Sequence, residues 1–183
     1  MNIRVIAGKY GGRKLDAPDG DNRRTKPMGE RIRNAVFNSI GSAIEGATVL
    51  DAFAGTGSVG LEALSRGAAR VTFIEKDRIA QKILAGNIYN LNVETDTALI
   101  RTSVSNWLDT SSSDERFDVI FADPPYHDPQ PTVVASLAPR LRTGGMLVLS
   151  WPKRLPAPDI ASLVLEDSRV YSEASVNVYR KHE

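Results

Sequence analysis

LDAFAGTGSVG, residues 50–60, is the stretch on which the fold turns. Thr48–Phe53 is a short apolar run, read as a strand, that ends where Gly55, Gly57 and Gly60 fall at G-x-G-x-x-G spacing. Glycines at that spacing allow a tight turn and let backbone approach a ligand with no Cβ in the way. Ser58–Ser65 then reads as helix, with Val59, Leu61 and Leu64 available to pack. Strand, glycine loop and helix in that order are the context such a loop needs, and nicotinamide and flavin enzymes share it.

Beyond this loop, strands and helices alternate. Val71–Ile74 reads as a strand ending at Glu75, and Ile79, Ile83, Leu84, Ile88 and Leu91 mark a helix by their period of 3.6. Ala98–Ile100 is a short strand, and Phe117–Ala122 is a buried one that ends at Asp123-Pro124-Pro125-Tyr126. Val133, Val134, Leu137 and Leu141 mark a further helix, expected to stop at Gly144-Gly145. Met146–Leu149 is a strand, and Leu163–Val170 and Ser175–Tyr179 form a hairpin through Ser172–Glu173. Such alternation predicts an α/β fold, a parallel sheet with helices on both faces. Ligands then bind at the carboxyl ends of the strands, so the informative loops are 54–60, 75–77, 101–105 and 123–127.

Upstream of the first of these strands, residues 3–15 read as a short hairpin, residues 16–27 as loop, and Ile32, Val36, Ile40 and Ile44 as one face of a helix. This extension is basic. Residues 1–34 hold nine Lys/Arg and four acids, net +5, against −4 for the remainder of the 183-residue chain. Phosphate contact and a merely solvated terminus are both open readings of that charge. The expected organisation is an N-terminal hairpin and helix over 1–45 and a second unit over 46–183.

Composition closes off several chemistries. There is no cysteine, so disulfides, thiolate nucleophiles and Cys-based zinc sites are excluded, including the thiolate attack used to methylate carbon 5 of a pyrimidine. His127 and His182 are too far apart in sequence for a metal-ligand pair, and no metal is expected. No apolar stretch approaches the roughly 20 residues of a membrane span, and no signal peptide is evident, so the cytoplasm is the expected location.

Two acids narrow the cofactor. Asp51 heads the glycine loop, where it would repel the pyrophosphate of a dinucleotide but suit the ammonium and sulfonium of S-adenosylmethionine. Glu75, 18 residues beyond Gly57, stands where a carboxylate accepts both ribose hydroxyls. The plainer readings are a loop-closing or helix-capping acid for Asp51 and a surface acid paired with Lys76 or Arg78 for Glu75.

Asp123-Pro124-Pro125-Tyr126 carries the candidate chemistry. Two prolines fix φ and remove two N–H donors, leaving a rigid turn with carbonyls free to accept. An exocyclic base amine is a poor nucleophile because its lone pair is delocalised into the ring. Accepting its hydrogens with the Asp123 carboxylate and the Pro124 carbonyl would pyramidalise the nitrogen and aim the lone pair at the methyl sulfonium. Tyr126 offers a face on which the extruded base would stack. The plainer reading is a Pro-Pro turn with a half-buried tyrosine. His127 reads as an exposed loop residue.

Taken together, these stretches resemble the RsmD family, bacterial guanine-N2 methyltransferases of small-subunit (16S) ribosomal RNA. IAGKYGGRKL at 6–15 and KPMGERIRNAVFNSI at 26–40 are similar to the family's opening hairpin and helix, and LDAFAGTGSVGLEALSRGA at 50–68, FIEKD at 73–77 and DPPY at 123–126 to its cofactor and catalytic motifs. The glycine loop and DPPY are shared by many amino-methyltransferases, so the N-terminal block singles out the family. The resemblance implies a Rossmann-like class I methyltransferase sheet of seven strands, the last antiparallel. It implies S-adenosyl-L-methionine as donor and ribosomal RNA within the small ribosomal subunit as partner. A monomer is expected, although nothing in the residues decides the oligomeric state.

By position, Asp51, Phe53, Gly55, Gly57, Glu75, Ser103 and Val104 would bind the cofactor, Asp123, Pro124, Pro125 and Tyr126 the target base, and Arg13, Lys14, Arg23, Arg24 and Lys26 the RNA. Ser103 stands where an Asp or Asn often binds the adenine amine, so adenine would lean on the Val104 backbone. Lys26 and Asn34 stand where an arginine and an acid are common. The competing functions are an adenine-N6 DNA methyltransferase, a nicotinamide oxidoreductase and an RNA-binding protein without catalysis. A chain of this length has little room for a DNA target-recognition domain, Asp51 argues against a dinucleotide, and the intact Asp123–Tyr126 loop argues against lost catalysis.

Overall fold

The computed structural model describes residues 3–18 and 28–182. In chain order the strands are β1 (Ile3–Arg4), β2 (Lys14–Leu15), β3 (Thr48–Asp51), β4 (Arg70–Ile74), β5 (Thr97–Ile100), β6 (Phe117–Ala122), β7 (Leu141–Pro152), β8 (Leu163–Val170) and β9 (Ala174–Lys181). The helices are α1 (Glu30–Ile40), α2 (Ser58–Ser65), α3 (Arg78–Leu91), α4 (Val104–Thr110) and α5 (Pro131–Ala135). Strands β3 to β9 form one seven-stranded sheet in the order β5-β4-β3-β6-β7-β9-β8. β5, β4, β3, β6 and β7 pair in parallel, whereas β9 runs antiparallel to both its neighbours. This is the mostly parallel α/β sheet expected from the alternating pattern.

The period of two along each strand builds two cores from one sheet. Val49, Val71, Phe73, Val119, Phe121, Met146 and Val148 point to one face, where α1, α2 and α3 contribute Phe37, Leu61 and Leu84. Leu50, Ile74, Ile120, Ala122, Leu147 and Leu149 point to the other, against Trp107 of α4 and Val134 of α5. The N-terminal hairpin joins the first core through Ile3, Val5 and Leu15.

Two expectations of local structure need correction. The helix through Val133–Leu141 is short: α5 ends at Ala135, Ala138–Arg140 is a single 3-10 turn, and Leu141 opens a strand. Pro139 has no N–H to give a continuing helix, although Val134, Leu137 and Leu141 are all buried as the spacing requires. Gly144-Gly145 stop nothing. They lie inside β7, where Gly144 has φ +77° and the register against β6 shifts between Phe117 and Val119, as at a β-bulge. α4 is an element that the apolar pattern does not predict. Its signal is Ser103 as N-cap, followed by Val104, Trp107 and Leu108 at helical spacing.

Candidate active site

β3 and β6 lie side by side, with β4 beyond β3 and β7 beyond β6, and the carboxyl ends of all four surround a cavity of about 450 Å³. Of the residues expected to bind cofactor or base, Asp51, Phe53, Gly55, Glu75, Ser103, Val104, Asp123 and Pro125 line it. Gly57, Pro124 and Tyr126 do not. Met28, Thr56, His127 and Ser150 line it as well. Of these four, only His127 stands out in the sequence, and it is exposed on its loop, as expected.

The glycine loop takes its shape from its neighbours. Gly57 is left-handed, φ +86°, and a Cβ there would lie 2.2 Å from Leu84 Cδ1, so this position serves the turn and the packing of α2 on α3. A Cβ at Gly60 would lie 2.2 Å from the Phe73 ring, which brings α2 against β4. Gly55 also has positive φ and meets no protein atom within 4 Å. Asn87, fully buried on α3, donates to the Thr56 carbonyl at 3.0 Å and also bonds Asp16, tying the hairpin to the loop. The Thr56 hydroxyl is buried and has no partner among the described residues.

Three carboxylates gather here from three adjacent strands. Asp51 accepts from the Gly60 N–H at 3.0 Å, so it does close the loop and cap α2 while lining the cavity. Its pKa is pushed up to about 7, chiefly by burial, with the Gly60 hydrogen bond opposing the shift and Asp123 and Glu75 adding to it. Glu75 forms no ion pair with Lys76 or Arg78. Its two oxygens accept from the Gly55 and Asp77 N–H groups, each at 2.7 Å, bridging the loops after β3 and β4. A carboxylate has about four acceptor positions, so roughly two remain. Ser103 is partly committed, its hydroxyl accepting from Asn106 N–H at 3.2 Å as N-cap of α4. Val104 opens that helix, and its N–H therefore has no intrahelical acceptor.

After β6 the chain enters the Asp-Pro-Pro-Tyr turn. Desolvation pushes the Asp123 carboxyl up to about 6, with Ser150 pulling the other way. The Pro125 carbonyl accepts from Asp128 N–H at 2.9 Å, whereas nothing among the described residues donates to the Pro124 carbonyl. Tyr126 is half-buried, its hydroxyl 2.7 Å from Ser150 Oγ and its carbonyl held by Arg154 at 2.8 Å. Desolvation raises the phenol to about 12, so it stays protonated.

Arg13 and Lys14 are exposed on the hairpin, and Arg13 donates to the Asn90 carbonyl at the end of α3, 2.6 Å. Arg23, Arg24 and Lys26 lie outside the described residues, as does most of the loop expected over 16–27. Part of the segment's charge is answered internally. Arg4 pairs with Glu30 at 3.2 Å, and Arg33 is fully buried beside Glu62, 3.6 Å away. Glu62 also accepts from the Ile6 and Ala7 N–H groups and from Arg66.

Residues 3–180 match the family model described as Conserved hypothetical protein 95. The chain belongs to this family. It is the RsmD family that the sequence motifs resemble. Ribosomal RNA small subunit methyltransferase D of Haemophilus influenzae is 39% identical over 126 residues, a match spanning 68% of this chain and 64% of that protein's length. YlbH of Bacillus subtilis is 30% identical over 184 residues, 98% of this chain and 99% of the relative. Among solved structures, yhhF from Escherichia coli superposes with a TM-score of 0.88 at 28% identity, covering 100% of this chain and 99% of that one. The sheet order, the parallel core and this superposition make the fold a Rossmann-like class I methyltransferase fold. No helix among the described residues is long and apolar enough to cross a membrane.

Proposed function

We propose that this protein methylates the exocyclic N2 amine of a guanine in small-subunit (16S) ribosomal RNA, using S-adenosyl-L-methionine. One observation carries the reading: three carboxylates from adjacent strands line one cavity, and the Pro-Pro turn that follows Asp123 leaves the Pro124 carbonyl without a donor among the described residues. Asp51, Glu75 and Asp123 together disfavour a pyrophosphate and favour a cation. No cluster of three or more metal-ligand side chains occurs among the described residues. A ligand with an ammonium, a sulfonium and a ribose fits this donor set. The unpartnered Thr56 hydroxyl is a further polar group for it. When bound, S-adenosylmethionine supplies an electrophilic methyl group.

The chain's own residues do the rest. Asp51 and the open space at Gly55 receive the methionine part, Glu75 the ribose hydroxyls, and Phe53, Ser103 and the Val104 N–H the adenine. Gly57 acts by shaping the turn. Ionised Asp123 and the Pro124 carbonyl accept the two hydrogens of the target amine, and Pro125 keeps the turn rigid. The amine lone pair is thereby aimed at the methyl carbon, which is catalysis by positioning and electrostatics. Tyr126 stacks on the base. Residues 1–45 serve the RNA and 46–183 the transfer, with the protein a cytoplasmic monomer acting on the small subunit.

Calorimetry tests the cofactor site. S-adenosylmethionine should bind and NADH should not, and Glu75→Ala should weaken binding by about 1–3 kcal/mol, the usual cost of stranding polar groups. Affinity should also fall as pH drops below about 7, where Asp51 takes up a proton and loses its attraction for a cation. Unchanged affinity in Glu75→Ala removes Glu75 from the site.

The basic segment has its own test. Lys14, Arg23, Arg24 and Lys26 replaced by serine should weaken subunit binding and leave cofactor binding intact. The salt slope should become shallower by about 0.7–0.9 for each phosphate that is no longer neutralised. Arg13 is left in place because it holds the end of α3. Binding whose strength and salt slope survive would make the segment a solvated terminus.

A further inference from the structure

Ser150 lies on β7, one residue past the ladder pair Ala122↔Leu149, and so beside Asp123 across the parallel strands. It is buried and lines the cavity. Its Oγ is 2.7 Å from the Tyr126 hydroxyl, it shares the cavity wall with Asp123, and its hydroxyl works against the effect of desolvation on that carboxyl. A serine hydroxyl has one hydrogen, and an ionised carboxylate only accepts. With Asp123 ionised and Tyr126 protonated, the arrangement that suits all three groups has Ser150 giving its hydrogen to Asp123 and taking that of Tyr126.

We propose that Ser150 is a positioning residue for methyl transfer, a single hydroxyl that donates to Asp123 and accepts from Tyr126 and so fixes these two side chains relative to each other before the base arrives. The proposal rests on reading Asp123 and Tyr126 as the residues that hold the target base. Its chemistry is that of a preorganised site: the acceptor and the stacking face belong to a loop, and a hydroxyl on a central strand holds both. Without it, Asp123 loses a donor to its ionised form, and the Tyr126 ring loses the anchor at its far end.

Other ionisable groups surround the pair. Asp51 and Glu75 line the same cavity, with Lys76 and Asp77 after β4 and His127 on the loop itself. Glu173, between β8 and β9, acts on Tyr126, and Arg154 holds its carbonyl. All of them remain when Ser150 is changed, so a difference from the wild type reports the hydroxyl.

The experiment is single-turnover transfer from tritiated S-adenosylmethionine to unmethylated small subunits, measured across pH. Ser150→Ala should lower the rate about tenfold or more, the size expected for a hydrogen bond to a charged group. Cofactor affinity should be unchanged, and the acid limb of the rate profile should move to higher pH, because ionised Asp123 has no donor there. Ser150→Thr keeps the hydroxyl and should restore both rate and limb. An alanine variant with wild-type rate and limb overturns the proposal, as does a threonine variant as impaired as alanine. Should the alanine variant be too unstable to assay, Tyr126→Phe carries the test. It keeps the aromatic face and deletes only the donor to Ser150, so a lower rate supports the chain of hydrogen bonds and full activity overturns it. Asp123→Ala separates the two levels: if it is inactive while Ser150→Ala is normal, only the positioning role fails. If Asp123→Ala is active, the reading beneath it fails.

Discussion

Asp123→Ala should lower the rate of methyl transfer by about 10²–10³-fold, the range found when one preorganised electrostatic group is removed. Cofactor affinity should change far less, because the Asp123 carboxylate serves the target amine. The wild-type rate should itself depend on pH in a defined sense. Asp123 must be ionised to accept an amine hydrogen, and burial raises its pKa to about 6. The rate should therefore be level above that pH and fall as pH drops through it. Stopped or quenched single-turnover assays separate this from product release. Near-normal turnover in Asp123→Ala would reduce the Asp-Pro-Pro-Tyr loop to a turn and remove the main support for the proposed chemistry.

The second large effect is on stability. Glu62 and Arg33 are both fully buried, and burial works against the Arg33 charge while Glu62 supports it. Removing one member of a buried ion pair typically costs about 3–5 kcal/mol, because the other is left as an uncompensated charge. Glu62→Ala also strands the N–H groups of Ile6 and Ala7, which donate to Glu62 at 2.7 and 3.1 Å. That is a large part of a typical total stability of about 5–15 kcal/mol. Urea unfolding should show the midpoint falling sharply. A loss under about 1 kcal/mol, the size of an exposed pair, would mean that the cluster is not holding hairpin, α1 and α2 together. The link to function is positional: α2 begins at the glycine loop, and the hairpin that Glu62 holds carries Arg13 and Lys14.

The gathering of the candidate residues was legible where each stands at the end of a strand. Asp51, Glu75 and Asp123 each follow a short apolar run directly, and the fold rule that ligands bind at carboxyl ends brings them together. Gly60 was legible as part of the glycine loop, but its packing against the Phe73 ring was not. What the sequence hid are contacts made across the fold. Ser150 meets Tyr126 only because β7 lies beside β6, and neither strand's pattern marks that serine. Glu62 meets Arg33 across α1 and α2, well apart along the chain, and a buried ion pair looks like surface charge in a linear reading. The misread helix before β7 followed from weighting apolar spacing over Pro139, and the bulge at Gly144 followed from reading a glycine pair as a stop. Glu75 was expected either at the ribose or in a surface pair. Its two backbone donors show a third arrangement, a brace between loops that leaves acceptor positions over.

The most direct measurement incubates the protein with tritiated S-adenosylmethionine and, separately, unmethylated small subunits, naked ribosomal RNA and DNA, and then maps the label by nuclease digestion and chromatography of the nucleosides. The proposed function requires label in small-subunit ribosomal RNA, on N2-methylguanosine, with the initial rate of incorporation lowered about 10²–10³-fold in Asp123→Ala. Label on N6-methyladenine in DNA, or no transfer to any of the three substrates by a chain that binds the cofactor, would contradict it.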